Sequence, residues 1–308
     1  MPADEPPKAA NPYRGRFAPS PTGPLHFGSL VAAVGSFLDA RHRGGTWLVR
    51  MEDLDRTREV PGAANRILNT LDAFGLHWDG DILYQSRRTE VYAAALENLG
   101  TQGMTYPCGC SRKDIAALGR RGPEGPIYPG TCRSGVPSGS RARSERLHVP
   151  TGVVAFHDRV QGQCEQDIAT DIGDFILRRA DGFYAYQLAV VVDDAGQAIT
   201  DIIRGADLCL STPRQILLQG LLGLPTPAYG HLPLVLDDLG RKLSKSEAAT
   251  PVDPADPIPA LQLALCFLGQ KTQVEPPSGV AELLRQAITD WDLSCVPARA
   301  SRPRGSAT

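Results

Sequence analysis

Apolar positions in the first hundred residues alternate between two periods. Arg14 to Phe17 is short, ends apolar and reads as a first strand. Leu30, Val31, Val34, Phe37 and Leu38 then recur at three- and four-residue spacing, which predicts a helix over Leu25 to Arg43. Trp47 to Met51 reads as a second strand. Ile67, Leu68, Leu71 and Phe74 return to helical spacing, in a helix whose first turn suits Pro61 and which stops at Gly75. A further helix is expected over about Arg88 to Leu99. Strand, helix, strand, helix in this order predicts an α/β fold with a doubly wound parallel sheet. Ligands of such sheets lie beyond the carboxyl ends of the strands, where Ala18 to Gly28 and Glu52 fall.

The alternation breaks at Pro107, and Gly, Pro, Arg and Ser dominate until about Ser144, which predicts a loop-rich insertion. Strand-like pattern resumes at Leu147 to Val149 and Val153 to His157, then at Phe175 to Leu177. Ala185 to Val192 contains the run Leu188-Ala189-Val190-Val191-Val192, which reads as a buried central strand. After Ser246 the pattern predicts a Pro-rich linker, helices near Ile258 to Leu268 and Val280 to Ile288, and a disordered Arg-, Pro- and Ser-rich tail.

The formal net charge of −2 over 308 residues gives no global basic field for nucleic acid. Locally the balance changes: Cys108 to Arg146 holds eight Lys and Arg residues against three acidic ones, a distribution suited to RNA contact. Met1 to Pro12 is polar and Pro-rich without the apolar stretch of a signal peptide, and no apolar run approaches the roughly 20 residues of a membrane span. Seven cysteines argue against a secreted disulfide framework, and a cytoplasmic protein with no membrane association is expected. Cys164, Cys209, Cys266 and Cys295 are scattered and read as small buried or neutral residues.

Three clusters carry chemistry. Pro19-Ser20-Pro21-Thr22-Gly23-Pro24-Leu25-His26-Phe27-Gly28 runs into a helix start, where backbone N–H groups and a His can meet phosphate oxygens. Lys242-Leu243-Ser244-Lys245-Ser246 supplies two cations on a polar loop. Cys108-Gly109-Cys110 and Cys132 offer three thiolates able to hold zinc at about 2.3 Å, with His148 or His157 available to complete the set.

The first two clusters, in this order, resemble the paired ATP-handling signatures of class I aminoacyl-tRNA synthetases. Arg16-Phe17-Ala18-Pro19-Ser20, Leu48-Val49-Arg50-Met51-Glu52-Asp53-Leu54-Asp55 and Asp201-Ile202-Ile203-Arg204-Gly205-Ala206-Asp207-Leu208 are similar to the catalytic core of glutamyl-tRNA synthetases. The resemblance covers roughly Tyr13 to Pro297. Within that family it points to a short branch that keeps the core without the anticodon-binding region, because the stretch after Ser246 is too short for helical anticodon domains.

It implies a Rossmann-like catalytic domain in two halves, residues 13–107 and 168–247, around a basic zinc-binding insert at 108–167. A helical region at 248–297 and a tail at 298–308 follow. It also implies a monomer that activates L-glutamate with ATP and magnesium, and transfers it to queuosine in the anticodon stem-loop of tRNA(Asp). Glu52 would face the substrate ammonium; Arg16 and Ser20 would recognise carboxylate, beside Phe17, Ala18 and Pro19, and Tyr186 with Arg204 would complete the grip. Arg suits that task because its planar fork meets a carboxylate bidentately. His26 and Lys245 would be catalytic, with Gly28, Lys242 and Ser244 also at ATP. Tyr128-Pro129-Gly130-Thr131-Cys132 matches the family's second zinc half-site, which implies Tyr128 beside Cys108, Cys110 and Cys132 around one structural zinc.

The chain departs from the strict motifs at Ser29, where the superfamily has a second His, and at Leu243, where it has Met. The loops at 119–126 and 134–146 are longer than the family minimum, so RNA contacts are not carried over to them. Three other readings compete: a glutamyl-tRNA synthetase charging the 3′ end of tRNA(Glu), a catalytically silent RNA-binding paralogue, and a pantothenate-synthetase-like nucleotidyltransferase. Intact His26, Glu52, Arg204 and Lys245 oppose the second, and the cysteine module with its acidic-substrate pocket opposes the third.

Overall fold

The computed structural model describes residues 12–236, 250–271, 277–298 and 301–303. It opens with β1 (Arg14–Phe17), α1 (Phe27–His42), β2 (Thr46–Met51), α2 (Ala63–Ala73), β3 (Leu83–Tyr84) and α3 (Thr89–Thr101). β1 pairs in parallel with β2, Gly15 opposite Trp47, and β2 in parallel with β3. The alternation expected from apolar spacing is therefore present, with one shift: Pro61 lies before α2, which starts after Gly62 at φ +74°. At its other end Gly75, at φ +68°, closes α2 in the left-handed conformation that glycine adopts without steric cost.

The insertion carries more order than its composition suggested. β4 (Thr105–Cys108) leads into α4 (Arg112–Leu118), a hairpin of β5 (Arg121–Gly122) and β6 (Gly125–Pro126), and β7 (Ser144–Leu147). Ser111 and Asp114 form a reciprocal capping box that starts α4, a Ser-x-x-Asp signal legible in the sequence. There follow β8 (Val153–Asp158), β9 (Gly162–Asp167), α5 (Ile168–Asp171) and β10 (Ile176–Arg178). β7 lies between β4 and β10, antiparallel to both.

The expected central strand at 185–192 is instead a helix, α6 (Tyr186–Gly196). It packs against α3 and against α7 (Thr212–Leu222). Leu188, Ala189, Val190 and Val191 are all buried, so apolar residues occupy more than one face. A helix enclosed on several sides reads as a continuous apolar run, as a central strand does, and periodicity cannot separate the two.

β11 (Asp201–Gly205) and β12 (Ala228–Leu232) are parallel, and β12 meets β8 through a single parallel pair, Tyr229 opposite Asp158. β1 runs beside β11: Thr200 N donates to Arg14 O at 2.9 Å, and Arg14 N donates to Thr200 Oγ1 at 2.8 Å. The carboxyl ends of β1, β2, β11 and β12 consequently open on one crevice.

β13 (Leu234–Leu236), α8 (Pro257–Phe267), α9 (Val280–Asp290) and β14 (Ser301–Pro303) complete the described residues. β14 lies in the stretch expected to be disordered, yet it pairs in parallel with β13. Backbone pairing needs no apolar side chain, which is why composition did not reveal it. Among the described residues no helix is long and apolar enough to cross a membrane.

The main core surrounds α1, where Leu30, Val34 and Leu38 are fully buried with Trp47, Val49, Ile67, Leu71, Leu261 and Phe267. Gly35 permits close approach to β12, since a Cβ there would lie 2.6 Å from Leu232 Cδ1. Asp39, buried on the same helix, accepts hydrogen bonds from Tyr13 at 2.6 Å, from Arg159 at 2.8 and 3.0 Å and from Trp291 at 3.2 Å. It thereby joins β1, the β8–β9 turn and the C-terminal region. Asp39→Ala strands these donors and should lower unfolding free energy by about 3 kcal/mol or more in urea titrations. A loss below about 0.5 kcal/mol would show the network to be dispensable.

Candidate active site

A cavity of about 440 Å³ sits at the carboxyl ends of the parallel strands. Arg16 and Phe17 reach it from β1; Ala18, Pro19 and Ser20 from the following loop; His26 and Gly28 from the start of α1; Glu52 from the end of β2; Tyr186 from the first residue of α6; and Arg204 from β11. The structure thus brings these ten predicted residues to one cavity wall. Lys242, Ser244 and Lys245 lie outside the described residues.

The loop after β1 is held by its backbone. Glu52 N donates to Pro19 O at 2.9 Å, Val60 N to Pro21 O at 3.0 Å and Thr22 N to Ser20 O at 2.8 Å. His26 is the N-cap of α1, its Nδ1 accepting from Ser29 N at 3.3 Å. That turn carries no acidic residue of its own, and the positive end of the helix dipole lies beside the cavity.

Three residues outside the predicted set organise the floor. Asp194, on α6, receives Arg16 at 3.0 and 3.3 Å and Arg50 at 2.7 Å. Burial opposes ionisation of Asp194, but the two guanidinium groups hold its carboxyl below the usual carboxylate range. Arg50 Nη1 also donates to Gln197 at 2.9 Å. The neighbouring Asp193 points elsewhere, to Gln85, Arg88 and Tyr92 at 2.6–2.8 Å, because successive helical residues are turned about 100° apart. A signal for this pair was present: two adjacent carboxylates closing an apolar run.

Glu52 differs from its acidic neighbours. Asp53 accepts from the Ser86 backbone and hydroxyl, and Asp55 from Thr57 and Arg179. Glu52 Oε1 is buried without a hydrogen bond, and Arg50 Nη2 stays 3.7 Å away. Burial pushes the Glu52 pKa up to about 7, against the pull of Arg50 and Arg16. Burial, with Glu52 nearby, likewise pushes Tyr186 up to about 12. Across the cavity Arg204 Nη1 is also buried and unpartnered, while Nη2 donates to Thr212 and Gln215 at 2.8 Å each and Nε to His231 at 3.1 Å. Two residues of the cavity wall, Glu52 and Arg204, thus each keep one buried polar atom without a hydrogen bond, and their opposite charges complement a ligand carrying both charges.

The cysteine cluster is separate from this cavity's lining. The sulfurs of Cys108, Cys110 and Cys132 lie within 4.8 Å of one another, Cys110 and Cys132 at 3.6 Å. Tyr128 Oη lies 3.4 Å from Cys108 and 3.8 Å from Cys110. Among the described residues this gathered set contains no histidine, so neither His148 nor His157 joins it. Of the other cysteines, Cys164, Cys209 and Cys266 are half-buried and Cys295 is exposed, and each is a free thiol.

Residues 13–256 match the catalytic-domain family of class I tRNA synthetases (E and Q), and the chain belongs to that family. It is similar to the Glutamyl-Q tRNA(Asp) synthetase of Chromobacterium violaceum, 56% identical over 286 residues that cover 93% of this chain and 96% of that one. The protein of the same name from Dechloromonas aromatica is 55% identical over 290 residues, 93% and 96% of the two chains. Among solved structures, the glutamate-tRNA synthetase of Elizabethkingia anophelis superimposes with a TM-score of 0.77 at 25% identity, over 95% of this chain and 68% of that one.

Glu52 sets a pH dependence. Its folded pKa of about 7 lies above the ordinary glutamate value of 4.5, so its charge costs stability fully above pH 7 and not below about pH 4.5. Glu52→Gln should therefore raise unfolding free energy by on the order of 2 kcal/mol at pH 8, with the gain fading toward pH 4.5 in denaturant titrations. A gain independent of pH would mean that Glu52 is not held out of its ordinary range.

Proposed function

We propose that this protein activates L-glutamate with ATP and transfers it to the queuosine base of tRNA(Asp). The observation that carries the reading is the convergence of Arg16, Glu52, Tyr186 and Arg204 on the cavity that His26 and Gly28 border. Its unpartnered carboxylate and guanidinium atoms suit an amino acid with one ammonium and two carboxylates. The names of relatives matched over 96% of their length support the particular acceptor. The likeness to glutamate-tRNA synthetase at 25% identity favours the second reading, charging of tRNA(Glu).

In the first step the ammonium of glutamate meets Glu52 and a carboxylate meets Arg204. The α-carboxylate oxygen then attacks the α-phosphorus of ATP in line, and magnesium-bound pyrophosphate leaves. His26 and the N-terminal turn of α1 face the phosphates, and Lys245 serves the pyrophosphate side. Charge stabilisation and positioning supply the rate. In the second step a hydroxyl of the queuosine cyclopentenediol, a vicinal diol similar to a terminal ribose, attacks the adenylate carbonyl and AMP leaves. Glu52 must be ionised to hold the ammonium, so glutamate binding near pH 7 should release protons, measurable by calorimetry in buffers of different ionisation enthalpy. Absence of release would contradict the assigned partner of Glu52.

The cysteine cluster fits a structural zinc. Tetrahedral thiolates at about 2.3 Å from zinc stand about 3.8 Å apart, close to the spacings among Cys108, Cys110, Cys132 and Tyr128 Oη. Bound there, zinc would tie the two ends of the 108–132 loop together and take no part in adenylate chemistry. Elemental analysis should find one zinc per chain, and Cys110→Ser or Cys132→Ser should lose it and expose the insert to proteolysis. A stable, zinc-free wild type would contradict this assignment.

Glutamate-dependent ATP–pyrophosphate exchange without tRNA should be measurable, with glutamate preferred to aspartate and glutamine. Lys245→Ala and Glu52→Ala should each lower it at least about tenfold, or 1.4 kcal/mol. Labelled glutamate should attach to queuosine-containing tRNA(Asp), not to unmodified tRNA(Asp), and removal of the 3′ adenosine should not matter. Labelling of tRNA(Glu) that disappears with that adenosine would establish the second reading instead.

A further inference from the structure

Arg204 is aimed by a buried chain that lies outside the cavity's lining. Asp158 Oδ1 accepts three backbone N–H groups, from Val160 at 2.9 Å, Gln161 at 2.8 Å and His231 at 3.0 Å. Its Oδ2 faces His231 Nδ1 at 2.5 Å. On the far side of the ring, Nε2 stands 3.1 Å from Arg204 Nε. A guanidinium N–H can only donate, so Nε2 must accept and the ring proton must sit on Nδ1, directed at Asp158. His231 and Asp158 are both fully shielded from solvent.

We propose that Asp158 and His231 are positioning residues, which act by fixing the Arg204 guanidinium at the cavity wall, where it meets a carboxylate of the substrate. The inference rests on the glutamate-pocket reading above and extends it by two residues that do not line the cavity. Arginine presents donors on every side of a flat fork, and a fork free to rotate would offer any of them. Here Nε is taken by His231 and Nη2 by Thr212 and Gln215, which leaves Nη1 buried and unsatisfied. The aim depends on the tautomer of His231, and Asp158 sets that tautomer.

The three backbone donors also make the chain testable. In Asp158→Asn the amide oxygen must stay on them, so the amide NH₂ faces His231 Nδ1. That nitrogen then has to accept, and the ring proton moves to Nε2, where it confronts Arg204 Nε–H. Thr212 Oγ1, 3.1 Å from Nε2, can accept a hydrogen bond from that N–H, so the fold has an outlet while Arg204 loses its partner. His231→Gln works in the opposite sense, since its Oε1 can accept from Arg204 and its amide NH₂ can donate to Asp158.

The experiment is ATP–pyrophosphate exchange with L-glutamate varied and then ATP varied, for wild type, Asp158→Asn, His231→Leu, His231→Gln and Arg204→Gln. Asp158→Asn and His231→Leu should raise the glutamate KM about tenfold or more with the ATP KM within about twofold, and His231→Gln should stay within about threefold of wild type. The ¹⁵N spectrum of the wild-type protein should show His231 protonated at Nδ1 and bare at Nε2, with the reverse in Asp158→Asn. If His231→Leu does not fold, the isosteric Asp158→Asn carries the same comparison. An unchanged glutamate KM in Asp158→Asn alongside a raised one in Arg204→Gln overturns the proposal and leaves the pocket intact. Equal rises in both KM values in Asp158→Asn, signs of general disorder, also overturn it. An unchanged glutamate KM in Arg204→Gln removes the pocket reading, and the proposal with it.

Discussion

The site depends on one buried carboxylate shared by two guanidinium groups. Asp194 lies under the cavity floor with Arg16 at 3.0 Å and Arg50 at 2.7 Å, and all three residues are buried. Two cations brought out of water this close repel each other and lose hydration, a cost of several kcal/mol per ion unless an anion stands between them. Asp194 supplies that anion, and with it β1, β2 and α6 are joined at their functional ends. Because Asp194 engages both Arg residues, Glu52 keeps an oxygen without a hydrogen bond. A site with no unsatisfied anion would have nothing to offer an ammonium group.

The inserted segment is ordered by a related device. Asp174, buried, accepts Arg133 at 2.6 and 2.8 Å, Val149 N at 2.9 Å and the Tyr106 hydroxyl. Arg146 links the same residue to the cysteines, donating to Asp174 O at 2.7 Å and to Cys108 Sγ at 3.2 Å. Its guanidinium also lies 3.9 Å from the centre of the Tyr128 ring. Arg133 and Arg146 belong to the basic excess between Cys108 and Arg146, yet they serve this internal network. Arg141 and Arg143 stay exposed. A local count of charge therefore overstates the surface left for RNA.

Much of the architecture was legible along the chain wherever one face is buried and the other wet. β1 falls on Arg14–Phe17 as its pattern required, and α1, α2 and α3 follow the spacing of their apolar residues. The reading failed where that contrast disappears. α6 is covered by α3 and α7, so its run lost the helical period and resembled a strand. β14 and α4 were missed for a different reason: pairing with β13 uses backbone groups, and a seven-residue helix started by a capping box shows almost no apolar period.

The sequence by itself carried the motifs around Arg16 to Ser20, Glu52 and Arg204, each at the end of a parallel strand, and its family resemblance picked out the residues of the cavity wall. It also showed the three cysteines gathered in one insert, to which the family resemblance added Tyr128. Only the tertiary structure decided which charges are spent and which are left over. Asp53, Asp55, Asp193 and Asp194 look as available as Glu52 in the sequence, and each proves to be occupied by a partner from a distant segment. Arg204 likewise acquires its orientation from Asp158, His231, Thr212 and Gln215, residues on β8, β12 and α7. Hydrogen-bond partners are set by distance in space, and local sequence carries no record of which far segments will arrive with a donor or an acceptor.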